Sequence, residues 1–455
     1  MEKPDIKAAE NFEGKSAADV LNAIKNDEMT SRVYADAVPD AIAGNIDTLH
    51  SIGRIIKSNP ELQNAFVKSL INRIALTLIK SKSYLNPYRA FKRGFLEFGE
   101  IVEDIFVDLV KPHAYNPVRA EKEMLKREMP NILTQYYRMN SQAFYKVTVS
   151  SAELDRAFLT WNGVSDLIGR VVGRLLDSME YDEFMLIKYL ISKYILDGRF
   201  KTVKVTGAPT EDIITIKGVS NAILFPSVNY NPAGVLTSTE RTDQYLFMSA
   251  EYSAVNDVEV LAKAFNMGNV EFLGHQVMFD NLWQYDYSRM RELVPEITEF
   301  TVNQINALKS VEAVLLDWEA FMIFDNLLES RQFENGEGLY WNHWLHSWKT
   351  LAMSPFANQI AFVSQEGEVT ALEVSPQEIN AKRGGSTFFF VSATITGIAS
   401  AAVTWSVNSE VSVINSDGEL RVAVNEPKKT LTVTATSKAN PAVTATATVT
   451  LPSIS

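Results

Sequence analysis

The sequence predicts an α+β fold over residues 1–369, followed by a separate small β-sandwich over residues 370–455. The chain has 455 residues, enough for about two to four domains of ordinary size. Apolar residues make up 46% and charged residues 22%, the composition of a chain that buries a core. Near residue 370 the composition shifts to Thr, Val, Ala and Ser, with six acidic and six basic residues in all. This shift indicates a domain boundary.

Composition also excludes several classes of function. The absence of cysteine rules out disulfide scaffolds, Cys-ligated zinc, iron–sulfur clusters and thiol nucleophiles. The net charge of −12 lies entirely before residue 370, and it does not suit general nucleic-acid binding, which needs clustered Lys and Arg. No apolar run reaches the roughly 18–20 residues of a membrane span. Because Met1–Asp5 begins no apolar leader, we expect a protein made and folded in a cytoplasm.

The chain opens with helical patterns. One helix is predicted to begin at Ser16, where Asp19 follows three residues later. Another is predicted at Ser58–Glu61, which places proline in the first turn and an acid near the positive end of the helix dipole. Apolar residues then recur every four positions, at Leu62, Phe66, Leu70 and Ile74.

An extended arm is predicted within residues 80–150. Phe95–Val110 and Ala143–Val149 have strand character, and the charged piece Val118–Met129 is helical up to Pro130. Basic residues come first in this region and acidic residues follow. The residues chosen as subunit-interface candidates are Arg89, Lys92, Arg93, Glu97, Glu100 and Glu103. Two interpretations stay open from the residues alone, an arm that contacts another subunit and a solvated hairpin.

The clearest helix is predicted over Ser178–Asp197. Acidic residues occupy its first turn, Lys193 lies near its end and Gly198 follows as a stop signal. One broad apolar stripe runs along it and predicts that a sheet packs against it. The stripe consists of Phe184, Ile187, Ile191, Tyr194 and Ile195.

The region from Lys201 to Ser330 mixes strands and helices. Leu246–Ser253 and Gly274–Phe279 are predicted as strands, and Val258–Asn266 as a short helix. Val311–Phe324 is strongly apolar and suits a central strand pair, while the aromatic segment Gly338–Val363 is expected to return to the sheet beside the long helix.

The tail shows strand alternation. Thr430–Thr436 alternates Thr with Leu, Val or Ala, and Asp417-Gly418 and Asn440-Pro441 are turn signals. Six or seven short strands in so short a segment suggest a β-sandwich. Its predicted core residues are Trp405, Leu420 and Val433. A sugar-stacking role is the alternative for Trp405.

A search for catalytic, metal and cofactor sites predicts none. His343 and His346 are spaced for one helical face, but tryptophans surround them and no acidic third ligand lies near in sequence. Asp317, Glu319 and Asp325 could pair as acid and base, yet strand alternation would put them on one solvated face. Gly169–Gly173 sits inside a helical pattern and does not form a phosphate loop, and no nucleophile elbow occurs.

Several short groups of residues occur in one order along the chain. They are Arg127–Asn131, Ala157-Phe158 with Trp161, Val260–Met267 with Phe272–Gly274, Gly338–Asn342 with Trp348, Thr350-Leu351, Phe356–Asn358 and Ala361–Ser364. These groups resemble the major capsid protein of small podophages of the phi twenty-nine-like (salasvirus/picovirus) group. The segment Thr210–Thr242 differs from that family in length and in amino-acid sequence.

The tail carries a second set of motifs. They are Val374–Pro376, Lys382–Gly384, Val403–Val407, Asp417–Leu420 and Leu431–Thr436. The set resembles a bacterial immunoglobulin-like domain of the second group, which the capsid family carries in the same place.

The two resemblances imply a tailed-phage capsid fold of the Hong Kong 97 type, followed by an immunoglobulin-like β-sandwich. The implied parts are an N-terminal arm at 1–57, a capsid-fold domain at 58–369 and an immunoglobulin-like domain at 370–455. Within the capsid-fold domain they place an extended loop in 80–150, a spine helix at 178–197, an axial domain at about 202–330 and a peripheral return at 335–363.

The implied function is a structural shell. Many copies would assemble into five- and six-fold rings of a phage head that encloses double-stranded DNA without sequence-specific binding. Expected partners are other copies, a scaffolding protein, a portal or connector and head fibres, with no membrane and no cofactor. The expected location is the virion, after synthesis in the host bacterial cytoplasm.

Two other classes of function compete with a shell. A cell-surface adhesin or glycan-binding protein could carry the same tail, and an enzyme could carry it as an accessory domain. The missing secretion signal argues against the adhesin, and the missing catalytic motif argues against the enzyme.

Overall fold

The computed structural model describes residues 32–42, 45–59, 86–96, 101–110, 132–150, 174–249 and 275–452, with short pieces near 18–26, 61–66, 112, 152 and 252–253. Several predicted features lie outside these residues. They are the helices at Val118–Met129 and Val258–Asn266, Gly169–Gly173, Leu70, Ile74 and the interface candidates Glu97 and Glu100.

Helices and strands both occur throughout the N-terminal part, as an α+β fold requires. The α-helices in the described residues are α1 (Arg32–Ala37), α2 (Ile46–Ser58), α3 (Arg174–Leu196), α4 (Pro209–Ala222), α5 (Tyr287–Leu293) and α6 (Val302–Leu308). Its strands are β1 (Lys92–Phe95), β2 (Val102–Val107), β3 (Ile132–Tyr137), β4 (Ser141–Ser150), β5 (Lys201–Lys204), β6 (Gln244–Ser249), β7 (His275–Phe279), β8 (Val311–Asp317), β9 (Phe321–Asn335), β10 (Tyr340–Met353) and β11 (Gln359–Val363).

Helix α2 begins at a capped turn. The Asn45 side chain accepts hydrogen bonds from the backbone N–H groups of Asp47 and Thr48, at 3.0 and 3.3 Å. The buried side chains of α2 pack against the first turns of α3 and against Trp341 in β10. Because α2 continues to Ser58, the predicted boundary between 57 and 58 falls in its last turn. The helix start predicted at Ser58–Glu61 follows directly: the Asn59 side chain accepts a hydrogen bond from the Glu61 N–H at 2.9 Å, and Glu61, Leu62 and Gln63 are helical.

Helix α3 is the central element of the fold. It starts at Arg174, four residues before its predicted start, and ends at Leu196. Gly198 follows with φ +70°, and the Arg199 N–H bonds back to the Tyr194 carbonyl at 3.0 Å, which closes the helix as the glycine predicted. Its N-terminal turns contribute to the core around α2, and Phe184 through Ile195 contribute to a larger core shared with both sheets.

A four-stranded sheet lies along α3, in the order β1-β9-β10-β4. β10 pairs antiparallel with both β9 and β4, whereas β1 pairs parallel with the start of β9. The alternation along β10 places Trp341, His343 and Leu345 on the buried side. The interpretation of Phe95–Val110 as one strand piece is wrong, because β1 and β2 join different sheets.

A five-stranded sheet has the order β5-β11-β8-β6-β7. β8 and β11 occupy its interior and are almost completely buried, which explains the strong apolar character of Val311–Leu316 and Ile360–Val363. Two predicted boundaries need correction. The boundary at 330 falls inside β9. The segment 335–363 belongs to two sheets, because β10 joins the sheet along α3 while β11 lies between β5 and β8.

The tail contains only strands among its described elements. They are β12 (Glu368–Ser375), β13 (Glu378–Asn380), β14 (Ser386–Phe388), β15 (Phe390–Thr396), β16 (Val403–Val407), β17 (Val413–Ile414), β18 (Glu419–Arg421), β19 (Thr430–Ser437) and β20 (Thr444–Thr450). They form sheets β12-β15, β13-β20-β19-β16 and β14-β18-β17, whose inward side chains share one apolar core. The first of these strands begins two residues before the predicted boundary.

The tail packs directly on the end of α3. The Ala401 N–H donates to the Gly198 carbonyl at 2.7 Å, and Ile398 is buried in the core of the N-terminal part. A Cβ at residue 198 would stand 2.5 Å from Ile395 Cδ1 and 2.8 Å from the Ala399 carbonyl. Glycine at this position therefore ends the helix and also makes room for the tail.

Candidate functional site

A buried charge cluster joins β1, α3, β9 and β10. Lys92 Nζ lies 2.7 Å from Glu183 Oε2 and 3.5 Å from Asp325 Oδ2. Lys349 Nζ contacts the same Glu183 oxygen and lies 3.5 Å from Asp325 Oδ1. The Glu183 side chain is completely buried, so two cations and two anions hold each other in a site with little water.

Burial sets the proton affinities in this cluster. The loss of solvent lowers the pKa of Lys349 well below its usual value, and the neighbouring Lys92 lowers it further. Burial also raises the pKa of Asp325, against the opposing effect of Lys92. The Asn86 amide donates to Glu183 Oε1 at 3.0 Å and completes the coordination of the carboxylate. We read this cluster as structural, because it fastens the start of the predicted arm to the helix.

Arg93 is also engaged within its own chain. Its Nε donates to the Phe321 carbonyl at 2.7 Å and its Nη2 to the Glu319 carbonyl at 2.8 Å. The guanidinium stacks 4.8 Å from the Trp318 ring centre. The structure therefore places Lys92 and Arg93 against β9 of the same subunit, and not on a projecting arm.

The other interface candidates are more exposed. Glu103 lies on the outer side of β2, where it accepts a hydrogen bond from the Tyr136 hydroxyl at 3.1 Å. Arg89 lies exposed in the single turn Arg89–Phe91 that precedes β1.

β2 and β3 form a two-stranded ribbon with two distinct faces. On the inner face, Phe106 packs against Phe356 with ring centres 5.8 Å apart. Asp104 on this face accepts hydrogen bonds from the Ser354 and Tyr137 hydroxyls, at 2.6 and 3.2 Å. These contacts attach the ribbon to the loop that follows β10.

The outer face of the ribbon is apolar and open. Its cross-strand neighbours are Val107 with Ile132, Ile105 with Thr134 and Glu103 with Tyr136. The apolar members are 52–58% exposed: Ile105 53%, Val107 52%, Ile132 55% and Tyr136 58%. Sequence reasoning selected charged residues here and missed this face. The signal was present in the spacing of Ile105 and Val107, which strand alternation puts on one side.

The outer face of the sheet along α3 is also aromatic. Phe144 and Phe333 are 61% and 63% exposed. His346 stacks on Phe144 with ring centres 5.8 Å apart, and Lys146 lies 5.6 Å from the Trp344 ring centre. Alternation along β10 therefore places Trp341 and Trp344 on opposite faces of the sheet.

The two histidines of this segment lie on opposite faces of β10. His343 is 1% exposed, and neither ring nitrogen has a hydrogen-bond partner among the described residues. Burial lowers its pKa to about 4. In the part of the chain that the structure describes, no group of three His, Asp or Glu residues is arranged to hold a metal ion.

The acidic candidates do not share a solvated face. Asp317 is buried, accepts from the Thr239 hydroxyl at 2.5 Å and from the Glu319 N–H at 2.8 Å, and burial raises its pKa to about 6. Asp325 belongs to the charge cluster, and only Glu319 is exposed. The prediction failed because the chain turns at Trp318–Ala320, so residues 317 and 325 lie in different sheets.

In the tail, Leu420 and Val433 are fully buried in the shared core. Trp405 is partly buried, and its ring centre lies 6.4 Å from that of Phe389. Trp405 packs against this core on one side, and on the other side it lines a cleft between the tail and the ribbon.

None of the described helices is long and apolar enough to cross a membrane.

Comparison with known proteins identifies the chain. The family model for the Phi29-like phage major capsid protein matches residues 21–363. The major capsid protein of Bacillus phage PZA is 34% identical over 92% of this chain and 89% of its own length. That of Bacillus phage B103 is 35% identical over the same shares. Among solved structures, a chain of the Staphylococcus phage Andhra capsid is 18% identical with a TM-score of 0.48, over 64% of this chain and 87% of that one.

The enzyme and adhesin alternatives lose their support, since the matched family and these relatives are capsid proteins. The extent of the match shows that the chain belongs to the Phi29-like phage major capsid protein family, and its role is structural, in the shell of a phage virion.

Proposed function

We propose that this subunit adopts the tailed-phage capsid fold of the Hong Kong 97 type and assembles into five- and six-membered rings that close a phage head around double-stranded DNA. The observation that carries this proposal is the open apolar face of the β2–β3 ribbon. An exposed apolar ribbon promotes uncontrolled association unless another surface covers it. In a shell, a neighbouring copy covers it.

A ring also needs a surface that receives the ribbon. Rotational rings use heterologous contacts, in which two different patches of the same chain meet. The second open apolar surface is the outer face of β4, β9 and β10 around Phe144, Phe333 and Trp344. We propose that this aromatic face belongs to an intersubunit contact as well. Glu103 and Arg89 would add polar contacts at the rim.

The proposal assigns each element of the structure to a part of the capsid fold. Helix α3 would be the spine, and the four-stranded sheet along it would form the peripheral domain. The five-stranded sheet with α4 would form the axial domain, around the ring axis. The N-terminal arm, predicted at 1–57, would extend to the end of α2 at Ser58. The tail would be the immunoglobulin-like domain of the second bacterial group, which its strand sheets and shared core support.

Further partners are proposed from the function of a shell. A scaffolding protein would guide assembly, a portal or connector would occupy one vertex, and head fibres could attach outside. The packaged DNA would be enclosed without sequence-specific contacts, and the net charge of −12 would limit its adhesion to the wall. The subunit would be made in the host cytoplasm.

An assembly assay tests the ribbon contact. Ile105→Asp, alone and with Ile132→Asp, should leave the subunit folded by circular dichroism but abolish sedimenting particles and closed shells in electron micrographs. Val424→Asp is the control, because Val424 is 79% exposed and lies in the tail. Normal shells from the double variant would refute the ribbon contact.

A further inference from the structure

A second cleft lies where the tail meets the end of α3 and β5. We call it the junction cleft, and its volume is about 580 Å³. The N-terminal part contributes Arg199, Lys201 and Asn229, and the tail contributes Thr404, Ser406 and Lys438. The proposed capsid assembly does not use this cleft.

Three cations converge on the junction cleft. Arg199 follows the end of α3 and stacks over Tyr194 at 4.4 Å from the ring centre, which holds the guanidinium beside the cleft. Lys201 begins β5. Lys438 follows β19, and its Nζ lies against Gly234, where an added Cβ would stand 3.3 Å away.

These cations have no anionic partner in the described part of the chain. No described residue lining the cleft is acidic, and none of the three cations forms an ion pair with another described residue. Lys438 has a lowered pKa, first because of partial burial and then because Lys201 repels its charge. Two lysines therefore oppose each other across the junction.

The rest of the lining offers neutral hydrogen-bond donors. Thr404 and Thr436 face each other as a cross-strand pair of β16 and β19, and Ser406 is the next outward residue of β16. Asn229 adds an amide from the N-terminal part. Hydroxyl and amide groups together with Lys and Arg form the donor set that binds tetrahedral oxyanions.

We propose that the junction cleft binds an inorganic oxyanion of the phosphate type, held by Arg199 and Lys201 on one side and by Lys438 on the other. The volume accommodates the anion with part of its hydration shell, since a water molecule takes about 30 Å³. The anion would neutralise the repulsion between the two lysines and would strengthen the attachment of the tail. Its binding is independent of the proposed ribbon contact.

Equilibrium dialysis of the full chain against labelled inorganic phosphate at constant ionic strength tests the proposal. The wild type should bind a single phosphate per subunit saturably, and sulfate should compete where chloride does not. Lys201→Met with Lys438→Met should weaken binding by about tenfold or more, because charge-assisted hydrogen bonds are lost. Lys438→Arg should retain it. Lys382→Met with Lys429→Met removes the same charge from exposed tail positions outside the cleft and should bind normally.

Melting of the full chain supplies a second readout. Phosphate raises the melting temperature of most proteins because it is excluded from their surface. Support for the site is therefore the part of this increase that the wild type shows and the Lys201/Lys438 variant lacks. Equal shifts in the wild type and that variant would overturn the proposal. So would weakened binding in the Lys382/Lys429 control, or stabilisation by duplex DNA without any response to free phosphate.

Discussion

Lys92 Nζ lies 2.7 Å from Glu183 Oε2 of the same subunit, and this ion pair fastens β1 to the long helix α3. The contact changes how the charges of β1, at the start of the predicted arm, should be tested. Reversing the charge of Lys92 would add a third carboxylate beside Glu183 and Asp325 in one buried site, so the subunit itself would lose stability. Loss of particles from such a variant would say nothing about intersubunit contacts, which is why the ribbon assay uses Ile105.

Glu183→Gln should destabilise the subunit strongly. It leaves Lys92 and Lys349 close together in a buried site that has lost one of its two anions. Removing one partner of a buried ion pair costs about 3–5 kcal/mol of folding free energy. Denaturant unfolding of the full chain measures the loss. Asp197→Asn is the control, since it breaks the exposed pair with Lys193 and should cost about 0–1 kcal/mol. Similar losses in both variants would contradict the role of the cluster.

Trp341→Ala and Trp344→Ala should separate folding from assembly. Trp341 is 2% exposed in the core around α2, and its truncation should cost about 3–5 kcal/mol and give insoluble protein. Trp344 lies on the other face of β10, so its truncation should spare the fold and reduce shell formation. Unfolding midpoints and particle yields are the two measurements. An equally unstable Trp344 variant would refute the proposed contact surface.

His343 should make the subunit sensitive to mild acid. Its pKa is lowered to about 4 in the folded state, against 6.5 for an ordinary histidine, so the unfolded chain binds the proton first. Stability should therefore fall as the pH drops from about 6.5 towards 4, by about 3 kcal/mol from this group.

The variant that checks this is His343→Leu, which should flatten that part of the pH profile of unfolding. His346→Gln, on the open face, should leave the profile unchanged. Zinc or a chelator should not shift the melting temperature of the wild type. If the stability of the His343→Leu variant still falls as steeply between about pH 6.5 and 4, other groups cause the acid sensitivity.

Residues 368–455 should fold as an isolated fragment. The core shared by their sheets contains tail residues alone, although Ile398 packs into the N-terminal part and would become exposed. We expect a β-type circular dichroism spectrum and cooperative melting. A fragment that starts at 370 should be less stable, because it lacks the completely buried Val369. A random-coil spectrum from the longer fragment would contradict an independent domain.

Gly198→Ala should loosen the tail. A side chain costs about 1–2 kcal/mol in the left-handed conformation, and here its Cβ would also meet Ile395 and the backbone of Ala399. We expect a lower melting temperature and faster proteolytic release of the tail. Gly336→Ala is the matched control, since no described atom lies within 4 Å of a Cβ there. Equal behaviour of the two variants would show that the close approach at Gly198 has no effect.

Local features of this molecule could be predicted from its sequence. The acidic start and terminal glycine of α3, the alternation in Thr430–Thr436 and the composition change near residue 370 each depend on neighbouring residues. For this reason the structure has the helix within four residues of its predicted start and the first tail strand within two residues of the predicted boundary. The shell function was also reached from sequence, through short motifs that resemble a capsid family.

Only the tertiary structure decided which of those elements meet. The partners of Lys92 lie in α3 and in β9, and the latter is 233 residues away, so no local pattern could pair them. The same holds for β11, which leaves the neighbourhood of β10 to become an interior strand between β5 and β8. Burial of a charge or exposure of an isoleucine depends on these distant contacts. The sequence by itself therefore determined the family, the long helix and the start of the tail, while packing determined the boundaries between the two large sheets, which charges are internal and which apolar faces stay open for another subunit.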